Sequence, residues 1–514
     1  MLLIYPPLAK SCEAPAGIAQ LAGTLRGHGL TNCTLLDANL EGQLYLLGRQ
    51  PASSDTWTKR ACRALQGNLE KMRSPAIYGH PARYQRAVAD LNRVLEQVGL
   101  QHQLDLDLAN YQDANVSPLK STDLLRAAMH PEDNIFHPWF AERLTDILDA
   151  TNPSTVGFSL NYLSQAASTF AMIGFFKKIA PKLPIVVGGG LVTSWMHSPA
   201  WSNPFAGLID HLIAGPGEEP LLKLLGLSHN RHHHPPDFQG LPQDQYLAPG
   251  FILPYAASSG CYWNRCSFCP EKAEGNPYHT LSTDLVLRDL AALCRQTRPA
   301  LIHFLDNAIA PELMRKLIDS PPAAPWYGFA RVSRLLTDPE FCRGLRRSGC
   351  LMLKLGIESG DQDVLDAMDK GIDLQMVSQT LNALAQAGIA TYVYLLFGTP
   401  SENLPQARKT LEFTVAHKHA ITFLNLAVFN MPIGSLEASA LTTSNFYEGD
   451  LSLYSDFVHP LGWGRKAIRT FLDREFKRHP AIIPILQRDP PIFTSNHAPF
   501  FTAQNETNTK GNHP

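Results

Sequence analysis

Short apolar runs alternate with segments of helical periodicity near the start of the chain. Ile18, Leu21 and Leu25, for example, fall three or four positions apart and predict a helix between two apolar runs. The apolar runs predicted to be strands are 2–4, 34–36, 155–160, 184–187 and 208–214. Strands that alternate with helices predict a parallel, doubly wound α/β sheet of the Rossmann-like type, in which ligands bind at the carboxyl ends of the strands.

This first sheet is assigned to a domain of residues 1–227. A segment with a different hydrophobic pattern interrupts it. Residues 51–150 have helical periodicity with many Arg, Gln and Ala residues and predict an all-helical insert. Residues 228–250 are rich in proline, glycine and polar side chains, as is typical of an interdomain linker.

A second alternation follows the linker and runs from 251 to 436. Its predicted strands are 251–256, 301–305, 326–330, 352–356, 391–397 and 422–428. Six β/α units predict a partial (β/α)6 barrel or an open sheet, with polar residues gathered just after each strand. Residues 437–514 form a C-terminal extension of mixed pattern.

Composition narrows the possible function classes. The 514 residues include 44 Lys plus Arg against 46 Asp plus Glu, so no overall basic field is present and a nucleic-acid partner is not expected. With 45% hydrophobic residues the chain can bury large cores, which argues against disorder. No apolar run nears the length of a membrane span and no charged segment precedes the first apolar residues, so we expect a cytoplasmic protein.

Three of the nine cysteines lie within nine positions, directly after the first strand of the second alternation. In "SSGCYWNRCSFCPE", Cys261, Cys266 and Cys269 can bind three irons of a [4Fe-4S] cluster and leave the fourth iron open for chemistry. A closed zinc site completed by His279 is a second interpretation. Three cysteines that are merely buried are a third.

The cysteine loop and the six-unit pattern resemble the radical S-adenosylmethionine (SAM) enzymes. The commonest spacing in that family has three residues between the first two cysteines, whereas this chain has four. The sequence GCYWNRCSFC is similar to the motif of a cobalamin-binding subgroup that has the longer loop. The resemblance implies that the open iron binds SAM, that Phe268 lies beside its adenine, and that reduction yields methionine and a 5′-deoxyadenosyl radical.

The same resemblance assigns further cofactor contacts at the later strand ends. Asp306 would accept from the methionine ammonium and Arg331 would face the methionine carboxylate. Glu358 and Ser359, in "LGIESGDQDVLDAMDKG", match the ribose-contacting position. The complete set of contacts implied in this half of the chain is Asp306, Asn307, Arg331, Glu358, Ser359 and Gly398.

The first sheet resembles the cobalamin-binding domain that precedes this barrel in many family members. The motifs "YPPL", "DANLEG", "VGFSLNY", "IVVGGG" and "AGPGEEP" occur in the same order as there. The implied cobalamin contacts are Pro7, Asp37, Asn39, Ser159, Gly188, Gly189, Gly190 and Gly215. Asn39 takes the place of the cobalt-binding histidine of some cobalamin proteins, which predicts a base-off corrin without a protein histidine on cobalt. A Rossmann-like domain that holds no cofactor is the alternative.

Together these features predict a cobalamin-dependent radical SAM enzyme, most simply a C-methyltransferase acting on an unactivated carbon of a small molecule or peptide. Such an enzyme needs an electron donor such as flavodoxin or ferredoxin. The alternatives are a radical SAM cyclase or rearrangement enzyme, a methylthiotransferase, and a non-catalytic zinc- or cobalamin-binding sensor. The methylthiotransferase is disfavoured because residues 437–514 hold eight basic and eight acidic residues, whereas an RNA-binding module would be basic.

Two histidine-containing segments have competing interpretations. Asn496 and His497, in "PPIFTSNHAPFF", would either reach the substrate or belong to the core. The tract His232 to His234 would either bind a metal or be part of a solvated linker.

Overall fold

The chain forms two compact units. The computed structural model describes residues 1–49, 51, 55–227, 232–490 and 497–502. The first unit comprises Met1–Phe251 with Tyr447–Leu453, and the second comprises Ile252–Phe446 with Tyr454–Pro514.

The first unit joins a parallel sheet to a mainly helical insert. Its elements are β1 (Leu2–Tyr5), α1 (Ala16–Gly27), β2 (Thr34–Asp37), α2 (Ala38–Gly48), α3 (Thr56–Met72), α4 (Pro75–Tyr78), α5 (Pro81–Leu100), β3 (Leu104–Leu106), β4 (Tyr111–Asp113), α6 (Ser121–Met129), a 3-10 turn (Pro131–Asp133), α7 (His137–Thr151), β5 (Val156–Ser159), α8 (Leu163–Ile179), β6 (Ile185–Gly188), α9 (Gly190–His197), β7 (His211–Leu212) and α10 (Glu218–Leu224). The predicted apolar face of α1 is buried, since Ile18 and Leu25 expose no more than 1% of their surface.

The sheet of the first unit has the order β2-β1-β5-β6-β7, and all of its pairings are parallel. The strands read as short continuous apolar runs because both faces of a parallel sheet are covered. The winding direction reverses between β1 and β5, and in such sheets ligands bind in the crevice at this switch point. The doubly wound sheet predicted from the sequence is confirmed, although β7 is shorter than its apolar run.

The insert contains a β-hairpin that the prediction of an all-helical segment missed. Strands β3 and β4 pair antiparallel, with Leu106 opposite Tyr111. The alternation of buried Leu104, exposed Asp105 and buried Leu106 is a strand signal, but it is only three residues long and lies against a 20-residue helix.

Residues 232–250 pack on the first unit and are not a solvated linker. Phe238 and Tyr246 expose only 1% and 2% of their surface. The backbone N–H of Leu247 donates to the carbonyl oxygen of Ser11 at 2.8 Å. A few apolar side chains among the prolines and glycines therefore hold this segment in place.

The second unit is a partial barrel with a C-terminal extension. Its elements are β8 (Ile252–Tyr255), β9 (Ser258–Ser259), α11 (Pro270–Ala273), β10 (His279–Thr280), α12 (Thr283–Thr297), β11 (Leu301–Phe304), α13 (Pro311–Asp319), β12 (Trp326–Ala330), a 3-10 turn (Arg334–Thr337), α14 (Pro339–Arg347), β13 (Cys350–Glu358), α15 (Gln362–Ala367), α16 (Leu374–Gln386), β14 (Ala390–Phe397), α17 (Leu404–Ala416), β15 (Phe423–Val428), β16 (Met431–Pro432), α18 (Leu436–Ala440), β17 (Thr443–Asn445), β18 (Tyr454–Phe457), α19 (Arg465–Phe471), a π-helix (Leu472–Phe476), α20 (Ile483–Leu486) and a 3-10 turn (Ala498–Phe501).

Six parallel strands form the main sheet of this unit in the order β15-β14-β13-β12-β11-β8. Each predicted strand is present, and β12 has the predicted bounds. Because all six strands run the same way, the loops that follow them meet at one edge of the sheet. Within the described residues, no helix is long and apolar enough to span a membrane.

Candidate functional site

The three cysteines lie on a loop at the carboxyl edge of the barrel sheet, shortly after β8. Gly260, which precedes Cys261, has φ +72°, and a Cβ atom there would lie 2.4 Å from the carbonyl oxygen of Pro277. Only glycine fits this entry into the loop, because other residues would meet both a strained backbone and a clash.

Asp306 and Asn307, after β11, hold the beginning of the cysteine loop. Asp306 Oδ1 accepts from the Ser258 hydroxyl at 2.5 Å, and its Oδ2 accepts from the Ala257 N–H at 3.1 Å. Asn307 Nδ2 donates to the carbonyl oxygen of Gly260 at 3.1 Å. Burial raises the pKa of Asp306, while the hydrogen bond from Ser258 opposes the rise. Both residues, predicted to contact SAM, thus act here as anchors of the loop.

The three thiols share one partly buried environment. None of the cysteines is in a disulfide. Burial raises the pKa of the Cys266 and Cys269 thiols, and the negative charge of a neighbouring cysteine raises each further. Among the described residues, no three Cys, His, Asp or Glu side chains already stand together as metal ligands. The loop therefore gathers three sulfur donors without holding them in a finished ligand geometry.

Arg331, directly after β12, brings a positive charge to the cysteine loop. Its guanidinium interacts with the thiols of Cys266 and Cys261, which oppose the lowering of the Arg331 pKa by burial. Arg331 Nη2 donates to the carbonyl oxygen of Lys370, and the guanidinium carbon lies 3.8 Å from the ring centroid of Trp263. The structure thus places this predicted contact residue beside the predicted cluster ligands.

Glu358 and Lys370 form a buried ion pair at the end of β13. Lys370 Nζ lies 2.8 Å from Glu358 Oε1, and the two side chains are only 10% and 11% exposed. The Lys370 ammonium also lies 5.3 Å from the ring centroid of Phe268. A Cβ atom at Gly356 would lie 2.4 Å from Glu358 Oε1 and 2.9 Å from Lys370 Nζ, so a side chain there would displace the ion pair. Lys370 thus lies between Phe268 and Glu358, and it already engages the carboxylate that the resemblance assigned to the ribose.

Ser359 lies in the interior of the barrel wall, away from any exposed surface. It is fully buried, and its hydroxyl lies 3.2 Å from Thr410 Oγ1 and accepts from the Asp361 N–H at 3.1 Å. These contacts shape the turn into α15, so the assignment of Ser359 as a ribose contact is not supported by its surroundings.

Gly398, after β14, has φ +84°, but the chain itself covers it. A Cβ atom at Gly398 would lie 2.3 Å from Cδ1 of Ile468 in α19. The close approach that the sequence predicts for a ligand is thus made by the C-terminal extension, whose contact could not be seen from local sequence.

A buried carboxyl group stabilises this turn. Glu402 is fully buried, and its Oε2 accepts from the Gly398 N–H at 2.5 Å and from Trp463 Nε1 at 3.3 Å. Its Oε1 has no hydrogen-bond partner among the residues that the structure describes. Burial raises the pKa of Glu402 to about 7.

We expect Glu402→Gln to remove a pH dependence of stability. Because the folded chain holds the Glu402 proton more tightly than the unfolded chain, its stabilisation is complete below pH 4.5 and is lost as pH rises through 7. The unfolding free energy of the wild type should fall by roughly 3 kcal/mol relative to that of the variant between pH 4.5 and 8. Denaturant titrations at both pH values measure this difference. Glu340→Gln, at an exposed position, is the matched control, and an equal pH response in both variants would contradict the assignment.

The barrel face that carries Glu358 also carries a buried basic pair that the sequence analysis missed. Lys354 Nζ lies 2.9 Å from His303 Nε2, and the two residues are 1% and 6% exposed. The His303 ring stacks on Tyr327 with centroids 4.4 Å apart. Each residue is a single polar position within an apolar strand, and one such position is a weak indication of a functional site.

At the carboxyl edge of the first sheet, Asp37 and Asn39 belong to a buried network. Asp37 caps α2 by accepting from the Leu40 N–H at 2.9 Å, and it accepts from the Tyr246 hydroxyl at 2.8 Å. Burial raises the pKa of Asp37 to about 6. Asn39 Oδ1 accepts from the Ala9 N–H at 2.7 Å. Both residues were predicted to contact cobalamin, but Asp37 ties the end of β2 to Tyr246, and Asn39 ties α2 to the loop after β1, in which Pro7 is buried.

The two glycines after β6 differ in the space around them, and only Gly190 is open. Gly189 has φ +110°, and a Cβ atom there would lie 2.4 Å from the carbonyl oxygen of Leu160. Gly190 is exposed, and a Cβ atom there would meet nothing closer than 3.8 Å. Asn161 accepts from the Gly190 N–H at 2.9 Å and donates to Ser159 Oγ at 3.0 Å, which links the ends of β5 and β6.

Gly188 and Gly215 complete the same edge. Gly188 ends β6 and is half-buried. Gly215 has φ +70° with open space around it, and its N–H donates to Thr193 Oγ1 at 2.9 Å.

Of the two histidine segments, one places its histidine in the core and the other holds a half-buried histidine. His497 is 1% exposed, and its ring centroid lies 4.3 Å from that of Tyr392. Asn496 lies outside the described residues. His234 packs against His28 with ring centroids 4.9 Å apart, and burial lowers its pKa.

The comparison with protein families identifies the barrel. Residues 255–414 match the Radical SAM superfamily model, which covers the cysteine loop and the strand ends described above. Residues 255–414 form a Radical SAM domain. The resemblance inferred from Cys261, Cys266 and Cys269 is confirmed by this match.

The curated relatives of this chain are distant. An uncharacterized methyltransferase of Pyrococcus horikoshii is 23% identical over 310 residues, which cover 52% of this chain and 66% of the relative. The bacteriochlorophyllide d C-12(1)-methyltransferase of Chlorobaculum tepidum is 27% identical over 192 residues, covering 36% of this chain and 42% of the relative. The chain thus spans less than two thirds of the length of each.

The fold of both units has a solved counterpart. The radical SAM methyltransferase TsrM from Kitasatospora setae, solved with cobalamin and a [4Fe-4S] cluster bound, superposes with a TM-score of 0.51 at 17% identity. The match covers 87% of this chain and 77% of TsrM. It confirms the predicted order of a parallel sheet domain followed by a radical SAM barrel.

Trp263, Lys370 and Gly371 are further site residues that the sequence analysis did not single out. Lys370 and Gly371 end the segment "LGIESGDQDVLDAMDKG", of which only the beginning was assigned a role. Trp263 is inside the cysteine loop, and the length of that loop was the available signal.

Proposed function

We propose that this chain is a cobalamin-dependent radical SAM methyltransferase that transfers a methyl group to an unactivated carbon. The observation that carries the proposal is the cysteine loop at the carboxyl edge of a six-stranded parallel barrel, with Arg331 and the pair of Glu358 and Lys370 beside it. The methyltransferase names of the relatives support the reaction class.

The residues of the cysteine loop fit an iron–sulfur cluster. Three thiols lie within nine residues, are half-buried, and influence each other electrostatically. Cys261, Cys266 and Cys269 would bind three irons and leave one iron for SAM. Asp306 and Asn307 hold the base of the loop, and the Arg331 charge faces the thiols.

The open glycine edge of the first unit fits a flat macrocycle. Gly189 and Gly190 present backbone without side chains, and the exposed ring of Tyr162 lies on the neighbouring loop after β5. A corrin would lie against the backbone of Gly190, where a Cβ atom would meet nothing closer than 3.8 Å. The predicted cobalamin is therefore assigned to the crevice between the ends of β1, β5 and β6.

When bound, the three cofactors would supply a radical that removes a substrate hydrogen atom and a methyl group that replaces it. The chain's own residues orient and shield these groups. Arg331 and Lys370 place positive charge at the cysteine loop, and Phe268 offers an apolar ring beside it. The substrate would be a small molecule or peptide, and the electrons would come from a protein such as flavodoxin or ferredoxin.

We expect Gly190→Leu to weaken cobalamin binding without unfolding the chain. A Cβ atom at this exposed position would meet nothing closer than 3.8 Å, whereas a leucine side chain would occupy the edge assigned to the corrin. Equilibrium dialysis should give an affinity at least tenfold lower than that of the wild type, about 1.4 kcal/mol. Gly67→Leu, at another open helical position in the same unit, is the control. Equal cobalamin affinity in both variants would remove Gly190 from the site.

Turnover with labelled SAM tests the proposed reaction. Anaerobic protein, a reductant and trideuteromethyl SAM are incubated with a metabolite extract, and the products are analysed by mass spectrometry. The proposal predicts a product that carries the trideuteromethyl group, with 5′-deoxyadenosine and S-adenosylhomocysteine in equal amounts. Formation of 5′-deoxyadenosine without methyl transfer would instead favour a cyclase or rearrangement enzyme.

A further inference from the structure

The cysteine loop contains a tryptophan that is fixed by contacts outside the loop. Trp263 lies among the four residues between Cys261 and Cys266, and the next residue, Asn264, has φ +44°. Asparagine tolerates this left-handed conformation better than most residues. The turn at Asn264 lets four residues fit between Cys261 and Cys266. It also directs the indole ring toward the segment that follows α15.

A slot for the indole is built into the segment after α15. Trp263 Nε1 donates to the carbonyl oxygen of Asp369 at 3.0 Å. Gly371 has φ +64°, and a Cβ atom there would lie 2.1 Å from Cζ2 of Trp263. The N–H of Ser267 donates to the carbonyl oxygen of Met368 at 3.0 Å, which holds the next part of the loop to the same segment.

The indole in this slot contacts the guanidinium of Arg331. The guanidinium carbon of Arg331 lies 3.8 Å from the ring centroid of Trp263, a cation–π contact at close range. Arg331 also donates to the carbonyl oxygen of Lys370, between the two residues that contact the indole. Trp263, Asp369 and Gly371 thus form one support for the guanidinium that faces the thiols.

We propose that Trp263 is a positioning residue that holds Arg331 beside Cys261 and Cys266, so that the cluster bound there is easier to reduce. This inference rests on the proposed function, because it concerns the cluster that the loop would hold. Reduction adds one electron, and therefore one negative charge, to a cluster that is already surrounded by three thiolates. A fixed, partly buried guanidinium lowers the free energy of that added charge.

A redox titration of the reconstituted chain, followed by electron paramagnetic resonance, tests the inference. Trp263→Leu should reduce the ratio of reduced to oxidised cluster about tenfold at a fixed potential, a shift of about 59 mV for one electron. Arg331→Met should give a shift of similar size, and the double variant no more than Arg331→Met alone. Trp263→Phe, which keeps an aromatic face, should retain most of the wild-type potential.

Arg265→Met provides the matched control. Arg265 also lies over the Trp263 ring, at 5.0 Å, but its side chain is exposed, so its loss should shift the potential far less. An unchanged potential in Trp263→Leu with full iron content would overturn the inference. Additive shifts for Trp263→Leu and Arg331→Met would overturn it as well.

Thermal unfolding of the iron-free chain distinguishes failure of the inference about Trp263 from failure of the proposed function. If the two residues are coupled, the losses in Tm for Trp263→Leu and Arg331→Met should be less than additive in the double variant. A wild type that binds no iron contradicts the proposed function, whereas additive Tm losses contradict the role of Trp263. This double-mutant comparison of Tm values needs no bound cluster, so it tests the role of Trp263 even if Trp263→Leu fails to bind one.

Discussion

Replacement of Cys266 by alanine should abolish both iron binding and reductive cleavage of SAM. Two remaining thiols cannot hold the three irons that the loop is expected to bind. Removal of a residue that only supports a metal ligand typically lowers metal affinity or activity by about 10- to 100-fold. Removal of a ligand itself should therefore reduce 5′-deoxyadenosine formation to below about one-hundredth of the wild-type rate. Iron analysis and chromatography of the nucleoside product measure both effects.

Cys62→Ala is the control for this variant. Cys62 is half-buried in α3 of the first unit and has no place in the cysteine loop. It should leave iron content and SAM cleavage unchanged. Retention of full iron and activity in Cys266→Ala would show that the cluster is held elsewhere.

Lys370→Met should strongly destabilise the barrel. The substitution leaves the carboxylate of Glu358 buried at 11% exposure without its ion-pair partner. Removal of one member of a buried pair typically costs about 3–5 kcal/mol, because the remaining charge is not compensated. Denaturant unfolding should show a loss of this size, together with weaker SAM binding at the adjoining Phe268.

The double variant Glu358→Gln with Lys370→Met should recover much of that stability, since it removes both charges. Lys477→Met is the matched control, because Lys477 pairs with Asp473 and both side chains are exposed, at 46% and 64%. Its loss should leave the unfolding free energy nearly unchanged, since both charges remain solvated. If Lys370→Met costs no more than Lys477→Met, the buried pair does not stabilise the barrel.

Much of the fold followed from local patterns in the sequence. The six barrel strands were visible because each is an apolar run followed by polar residues, and β12 has the predicted bounds. The sheet of the first unit was visible for the same reason. The cysteine loop was found because three cysteines in nine residues are improbable without local chemistry.

The remaining parts of the site depend on contacts between distant segments. The slot for Trp263 is formed by Gly371, more than 100 positions away, and Ile468 covers Gly398 from the C-terminal extension. Neither contact leaves a periodic pattern. Asp37 and Asn39 copied the spacing of a cobalamin motif, but their side chains are used within a buried hydrogen-bond network.

Metal analysis of the anaerobically purified and reconstituted protein tests the central claim most directly. Iron, cobalt and zinc are quantified per chain after incubation with iron, sulfide and cobalamin. The two-cofactor account predicts about four irons and one cobalt per chain. Zinc without iron or cobalt would contradict it and would leave the cysteine loop as a structural zinc site.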